Sequence, residues 1–554
     1  MENHSFNQTW REGFWQELND DTQPWDMIVV GGGITGAGIF REAVRLGLRV
    51  LLLEQKDYSW GTSSRSSKLV HGGLRYLKDG HVFLTRDSIV ERQRLMRECP
   101  GLVEHLNFLI SLYEGQKPGR WTFQAGLLIY DLLASRLQHQ HLDKQDFLLS
   151  APHLKEEGLQ GGLRYGDART DDSRLVLRLI FEGMRDGGRA LNYVRAEKPE
   201  PRVDGITAVT VRDRRTDRVC RLQARVVVNA TGAWADRLRN GEKRLRPLRG
   251  SHLVFHAWRV PAPQAMTILH PDDQRPLFLL PWEGATILGT TDVDHSGNLD
   301  TEAAVTAEEV RYMMKVLEVN FPKLNLTIDD IVASWSGVRP VISSGAADPS
   351  KESRDHAVWD DDGVMTITGG KLTTFRKMAF DLLHKAKHYL PPIQIDKTPP
   401  VMVPPEVPWD RLPPLSQAVR RRLGGRYGLC TEALVRAAED GELDLVSGTE
   451  TLWAELRWAA RDEQVVHLDD LLLRRTRLGL LLEQGGAAHE ARFAAICQAE
   501  LGWSEARWRD EWRRYRDIWT KYYSIPDALR ATEPTAAKAK ASVTEQEVSF
   551  HASR

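Results

Sequence analysis

The sequence predicts an α/β protein in which an antiparallel-sheet domain is interleaved with a βαβ-built domain, followed by an all-helical C-terminal domain. Three observations predict it. A strand, glycine turn, helix and second strand fill residues 26–53, and β-rich apolar runs recur at long intervals as far as residue 368. Nine prolines between Pro391 and Pro414 then separate this half from a remainder rich in Leu, Ala, Arg and Glu.

The elements follow in order. After a polar N-terminal arm, Asp26-Met-Ile-Val-Val30 is short, apolar and β-branched, and breaks into glycines, as a buried strand entering a tight turn does. Small apolar residues resume at helical spacing from Ile34 to Leu46, Gly47 closes that helix, and Val50-Leu-Leu-Leu53 is the next strand. Arg225-Val-Val-Val-Asn229 and Val364-Met-Thr-Ile-Thr368 each end in glycine and are expected to return to the same sheet. Between them, Ser251–His256, Leu277–Leu280 and Ala285–Gly289 predict the antiparallel sheet. The domain assignment is 22–390, with 22–80, 150–235 and 345–390 in the first domain and 81–149 and 236–344 in the second. Residues 391–414 are a linker, 415–525 the helical domain and 526–554 a disordered tail rich in Ala, Lys, Ser, Thr and Glu.

Composition sets limits on function. The 554 residues carry 75 basic and 76 acidic side chains, so nothing points to nucleic acid. Cys99, Cys220, Cys430 and Cys497 lie far apart with no C-x-x-C pair, which suits a reducing, cytosolic setting and predicts no metal site. No stretch approaches the roughly 18 apolar residues of a membrane span, so any membrane contact is expected to be peripheral.

Gly31, Gly33 and Gly36 form G-x-G-x-x-G between a strand and a helix, with Glu54 ending the next strand. The first glycine permits the turn, the second admits a pyrophosphate, and the third lets helix and strand approach; Glu54 can accept ribose hydroxyls. This fingerprint serves NAD and FAD alike. The stretch Gly61-Thr-Ser-Ser-Arg-Ser-Ser-Lys68 favours FAD, because Thr62, Ser63, Ser64, Ser67 and Lys68 could follow a longer cofactor toward its ring. Gly232 ends a later strand, and Gly369-Gly370-Lys371-Leu-Thr373 again opens a helix, whose N-terminus could stabilise charge on a reduced flavin. With one fingerprint taken by FAD, electrons are expected to come from the organic substrate.

Gly31-Gly-Gly-Ile-Thr-Gly-Ala-Gly38 and Gly61–Leu77, which includes His71-Gly-Gly-Leu-Arg75-Tyr76, closely resemble the two signatures of FAD-dependent (aerobic) glycerol-3-phosphate dehydrogenases. Arg169–Leu175, Val228–Gly232, Gly250-Ser-His252-Leu, Gly289-Thr-Thr-Asp292, Ser336–Pro340, Gly369–Thr373 and Arg474-Arg-Thr476 extend the likeness over about residues 22–525. The resemblance implies a glutathione-reductase-type FAD-binding Rossmann fold with a C-terminal helical cap. It implies oxidation of sn-glycerol 3-phosphate to dihydroxyacetone phosphate, with electrons passed to a membrane quinone. A bacterial homodimer, held peripherally on the cytoplasmic face of the cell membrane, is expected.

That chemistry moves hydride from C2 to the flavin while a base takes the hydroxyl proton. His71 and His252 are the candidate bases, since imidazole titrates near neutral pH. Resemblance points to Arg75, Tyr76, Arg339 and Arg354 around the substrate. Arg339 is preferred near the C2 oxygen, and Arg354 with Tyr76 near the phosphate. Lys371 either neutralises reduced flavin or contacts substrate. Runs such as Arg420-Arg-Arg422 are expected to be solvated helix faces. Trp508, Trp512, Tyr515, Trp519 and Tyr522 form one helical stripe, expected to pack against the helical domain in preference to lying on lipid. An oxidase passing electrons to O₂, an amino-acid-oxidase-type enzyme and a non-enzymatic flavin-binding regulator are the competing readings.

Overall fold

The computed structural model describes residues 5–74, 82–116, 119–134, 138–239, 242–343 and 355–532. The arm ahead of the first strand is helical: in α1 (Gln8–Asp20), Asn7 caps the helix by accepting the Trp10 N–H. β1 (Trp25–Val30), α2 (Ile34–Arg45) and β2 (Val50–Leu53) form the βαβ unit, with β1 and β2 parallel. Alternation divides each strand between two cores. Met27, Val29, Val50 and Leu52 pack with α2, whereas Ile28, Val30, Leu51 and Leu53 pack with Phe14, Trp15 and Leu18 of α1. Burial of each such aliphatic side chain contributes about 1.5–3 kcal/mol.

The chain then enters the second sheet through α3 (Val82–Glu98), β3 (Val103–Tyr113), α4 (Arg120–Leu133) and β4 (Leu159–Thr170), β3 and β4 pairing antiparallel throughout. The boundary expected near residue 150 therefore falls after Thr170. The glycine-rich segment Leu159–Thr170 carries no β-branched run to mark it as a strand. It becomes one by pairing along its length with β3, and Gly162 is glycine because the Phe147 ring lies where an added Cβ would stand, 2.0 Å from Cε2.

α5 (Asp172–Arg185) returns to pack on α2, and β5 (Val219–Asn229) lies parallel to β1. β6 (Leu245–His256) pairs antiparallel with Ala285–Gly289 on one side and with β7 (Ile331–Ile342) on the other. β8 (Val364–Gly369) rejoins the first sheet, parallel to β5, and α6 (Phe375–Ala386) packs on α2. Among the described residues the first sheet has eight strands and the second nine.

The proline-rich segment forms a strap with one 3-10 turn, Trp409–Arg411. It is fastened to the first domain: Val401 and Met402 are fully buried there, and the Val401 N–H donates to Glu98 while its carbonyl accepts from Arg41 at 2.9 Å.

The helical domain is locked on by buried charges. Asp57, at the mouth of the first domain, accepts from Arg474 Nε at 2.6 Å and from both Arg475 Nη atoms at 2.7 and 2.8 Å. Burial pushes the Asp57 pKa up, but Arg475 and Arg474 outweigh it and hold it below the usual carboxylate value. The expectation of a solvated face at Arg420–Arg422 fails at Arg422, which is buried between Glu455 and Glu283. Neutralising carboxylates lie far away in sequence, so the run alone could not reveal them.

The aromatic stripe lies on α7 (Glu505–Tyr522), where Trp508, Tyr515 and Trp519 are buried. Tyr515 OH donates to the Gly485 carbonyl and Trp519 Nε1 to that of Gly479, both at 2.7 Å. The stripe is core. The tail expected to be disordered from Pro526 begins as a short helix, Asp527–Thr532, with Leu529 buried; later residues lie outside the described ones. No helix among the described residues is long and apolar enough to cross a membrane.

Candidate active site

A cavity of about 2260 Å³ runs between the two sheets. Gly31, Gly33, Glu54, Thr62, Ser63, Ser67, His71, Gly232, Arg339, Gly370, Lys371 and Thr373 all line it. These positions span most of the first two domains and converge because β1, β5 and β8 run parallel and end at one edge of their sheet.

The cradle is built by the absence of side chains. Gly31 has φ +116°, and a Cβ there would stand 2.5 Å from the Ala230 carbonyl oxygen. Gly36 does not face the cavity; it lets α2 rest on the turn, since its Cβ would meet the Gly31 oxygen at 1.9 Å. Glu54 closes one end, accepting the N–H groups of Gly32 and Lys56 at 2.8 Å each. Burial, the dominant influence, raises its pKa against those two bonds. Free backbone at a helix N-terminus, a carboxylate at the next strand end and an elongated cavity fit a dinucleotide cofactor such as FAD.

The serine-rich stretch does three different things. Ser63 Oγ lines the cavity and accepts the Ile34 N–H at 2.9 Å, Thr62 donates to the Val338 carbonyl, and Ser67 Oγ bonds His252 Nε2 at 2.9 Å. Ser64 turns its carbonyl away, to Lys68 Nζ at 2.6 Å and Arg477 at 2.8 Å. Lys68 is fully buried on Asp172 at 2.9 Å, its pKa pushed down to about 7 by burial and by Arg477. Lys68 therefore does not reach the cofactor cradle as expected; it anchors the loop, with Ser66 also donating to Asp172.

The two histidines part company. His71 lines the cavity, and the turn that carries it is fixed by the Gly72 N–H, which donates to Tyr130 OH at 3.0 Å and to Asp167 at 3.1 Å. Arg92 bonds both of those partners. Burial holds the His71 pKa down at about 4, with Lys371 and Arg92 assisting and Asp167 opposing. His252 does not line the cavity. Its ring lies flat on Trp335, centroids 4.9 Å apart, and it meets the cavity only through Ser67. Burial, then Lys68 and Arg339, place its pKa well below the ordinary value. Neither imidazole keeps the near-neutral pKa expected of it: burial is the largest cause for both, although His71, on the cavity wall, is only half-buried.

Arg339 is aimed by Asp292 at 2.9 Å and Thr290 at 3.1 Å, and Arg275 meets the other Asp292 oxygen at 2.8 Å. Arg275, Thr290 and Asp292 all line the cavity; the sequence reading passed over Arg275 and gave Thr290 and Asp292 no role. Two of them sit in the Gly289–Asp292 motif, which was the available signal. Gly250 makes room for the guanidinium: a Cβ there would lie 2.6 Å from Arg339 Nη2. Gly369 and Gly370 turn with positive φ, Thr373 Oγ1 is 3.5 Å from the His71 carbonyl, and Lys371 Nζ is 3.5 Å from Ser88 Oγ. Arg75, Tyr76 and Arg354 lie outside the described residues. Among the described residues no cluster of metal-ligating side chains is present. The arrangement offers a neutral imidazole, two cations sharing one carboxylate, and a third cation, around space for a flat ring.

Residues 26–376 match the family model described as FAD dependent oxidoreductase, and 366–508 match the C-terminal domain of alpha-glycerophosphate oxidase. An aerobic glycerol-3-phosphate dehydrogenase of Staphylococcus aureus is 32% identical over 496 residues, 84% of this chain and 88% of the relative. The solved glycerol-3-phosphate dehydrogenase from Bacillus halodurans complexed with FAD superposes with a TM-score of 0.71 at 26% identity, covering 93% of this chain and 98% of that one. L-alpha-glycerophosphate oxidase from Mycoplasma pneumoniae, at 17% identity, 69% and 98% coverage and a TM-score of 0.56, shares the fold.

Proposed function

The chain belongs to the FAD-dependent oxidoreductases, in the family of aerobic glycerol-3-phosphate dehydrogenases, and from that premise we propose that it oxidises sn-glycerol 3-phosphate to dihydroxyacetone phosphate and delivers the electrons to a membrane quinone. FAD, when bound, supplies the hydride acceptor. The protein's own groups do the rest. His71, neutral and on the cavity wall, takes the C2 hydroxyl proton. Arg339 stabilises the developing alkoxide from a fixed position on Asp292, and Arg275, on the same carboxylate, adds a second cation for a substrate dianion. Lys371 offers a further positive charge on the same wall. The enzyme works as a homodimer on the cytoplasmic face of the membrane.

The observation that carries this reading is the single cavity in which the glycine cradle, His71, Arg275, Arg339 and Lys371 meet. Turnover of glycerol 3-phosphate with a short-chain quinone, against glycerol and 2-hydroxy acids, tests it. The expected result is quinone reduction with glycerol 3-phosphate only and little oxygen uptake. The match of residues 366–508 to the oxidase C-terminal domain favours a second reading, an oxidase; rapid peroxide formation without quinone would establish that one.

A further inference from the structure

At the ribose end of the cofactor cradle, the cavity wall is completed by a short span of the second domain. Val293 and Asp294 still pair with β6, and the chain then crosses to the first domain and turns at Asn298. That side chain accepts the Asp300 N–H at 2.9 Å, and the Asn298 carbonyl accepts Thr301 Oγ1 at 3.0 Å. Past Glu302 the chain returns to its own domain through the helix Ala307–Asn320, whose Val310, Met313 and Leu317 join the core of the second sheet.

Two acids of this span reach five groups of the first domain. One carboxylate oxygen of Asp300 accepts Trp234 Nε1 at 3.2 Å and Arg237 Nη1 at 2.6 Å, and the Asp300 carbonyl accepts Lys56 Nζ at 2.6 Å. Glu302 accepts Trp60 Nε1 at 3.1 Å and pairs with Arg65 Nη2 at 2.9 Å; the same nitrogen donates to Tyr523 OH of the helical domain at 2.9 Å. The two tryptophans form a bridge, with ring centroids 5.9 Å apart. Lys56 Nζ lies 3.4 Å over the Trp60 ring, and Trp234 covers Gly61, where a Cβ would approach within 3.2 Å. Lys56, Trp60, Trp234, Arg237 and Asp300 all line the cavity that holds Glu54, whose carboxylate also accepts the Lys56 N–H. A bridge of the first domain fastened to a span of the second encloses the occupant of that end.

The fastening is graded. Glu302 and Arg65 are buried, whereas the side chains of Asp300 and Arg237 are 51% and 49% exposed. A buried charge pair resists separation; an exposed one is screened by water and parts readily. From His295 to Thr301 no residue is buried, so no apolar packing opposes lifting of the span. It is anchored at one end by its pairing with β6 and at the other by Glu302, and held between them by polar bonds that exchange with water.

We propose that residues 295–301 are a latch across the ribose end of the FAD site, with Asp300 as its catch on Trp234, Arg237 and Lys56, and that opening this latch is the step that sets how fast bound FAD is released. Its action requires only FAD in the cradle, whatever the substrate or the electron acceptor.

Release of FAD from the full-length holoenzyme, without substrate, tests the latch: the flavin still bound is measured after rapid gel filtration at successive times. Asp300→Ala removes an exposed acceptor and is expected to quicken release about fivefold with an unchanged circular dichroism spectrum. In Arg237→Cys combined with Asp300→Cys, a short bismaleimide ties the latch shut, the native cysteines all being buried. Release is then expected to fall about tenfold below that of the same protein before linking, whereas a maleimide with one arm leaves it unchanged. Where the cysteine pair fails to fold, Asp300→Ala decides alone. Release from Asp300→Ala at the wild-type speed, none from either included, overturns the latch. So does release that the link leaves unchanged, or that the one-armed reagent slows equally. A release rate that climbs with urea as steeply as global unfolding also overturns it, because flavin would then leave through the unfolded chain. Failure of glycerol 3-phosphate to reduce the flavin would count against the substrate reading and leave these release rates untouched.

Discussion

Gly250→Ala isolates the positioning of Arg339 from the stability of the fold. The new Cβ would lie 2.6 Å from Arg339 Nη2, 2.5 Å from Thr290 Oγ1 and 2.9 Å from Arg339 Cζ. Ordinary contact begins near 3.4 Å, so the guanidinium must retreat by about 0.8 Å. Both obstacles are ends of side chains, and Gly250 lies on β6 without positive φ, so the backbone accommodates alanine. The stability change is therefore expected to stay below about 1 kcal/mol, whereas a cation moved by close to an ångström from the reacting oxygen slows the chemistry by about 10²-fold, or about 2.7 kcal/mol. Anaerobic stopped-flow reduction of the flavin, beside a thermal melt, measures both. Reduction within twofold of wild type would refute the claim that Arg339 acts from its present position. So would a large loss of melting temperature, since the space would then be structural.

Three other perturbations follow from the same geometry. Gly31→Ala meets the Ala230 backbone at 2.5 Å in a left-handed turn, and the purified variant is expected to be colourless, with no flavin in its absorbance spectrum. His71 titrates at about 4 when folded against an ordinary 6.5 when unfolded. The unfolded chain thus takes up its proton first, so this group's share of stability is intact above pH 6.5 and is lost as pH falls toward 4. Denaturant titrations should show that slope reduced in His71→Gln, and flavin reduction by the wild type should stay insensitive to His71 protonation from pH 8 to 6. Asp57→Ala takes from Arg475 its nearest carboxylate and leaves Arg474 only Asp469 and Asp470, so it should cost about 3 kcal/mol, seen as a lower melting temperature and faster proteolysis in the strap of residues 391–414.

What the sequence made legible was local. Val29, Gly31, Ile34 and Glu54 lie within one βαβ unit, where period and turn chemistry decide structure, and their placement follows from spacing. The site beyond it depends on register. Leu248 faces Arg339 and His252 faces Gly289 across strands separated by dozens of residues, and no local pattern announces those pairings. Hence Arg275 went unnoticed and Asp292, though in a family-like motif, was given no role, while Arg339 was chosen. Lys68 misled for a related reason: a lysine after serines suits a phosphate, but Asp172 and Arg477 close around it only in three dimensions. The histidines were chosen for a solution pKa that burial abolishes, and burial of a single side chain cannot be read from its type.

The central claim, that one cavity joins an FAD cradle to a glycerol 3-phosphate site, is tested most directly by anaerobic titration of the yellow holoenzyme with glycerol 3-phosphate, followed by a soluble quinone. The account predicts stoichiometric loss of the oxidised-flavin absorbance and its return on adding quinone. Flavin that stays oxidised through the titration would contradict it.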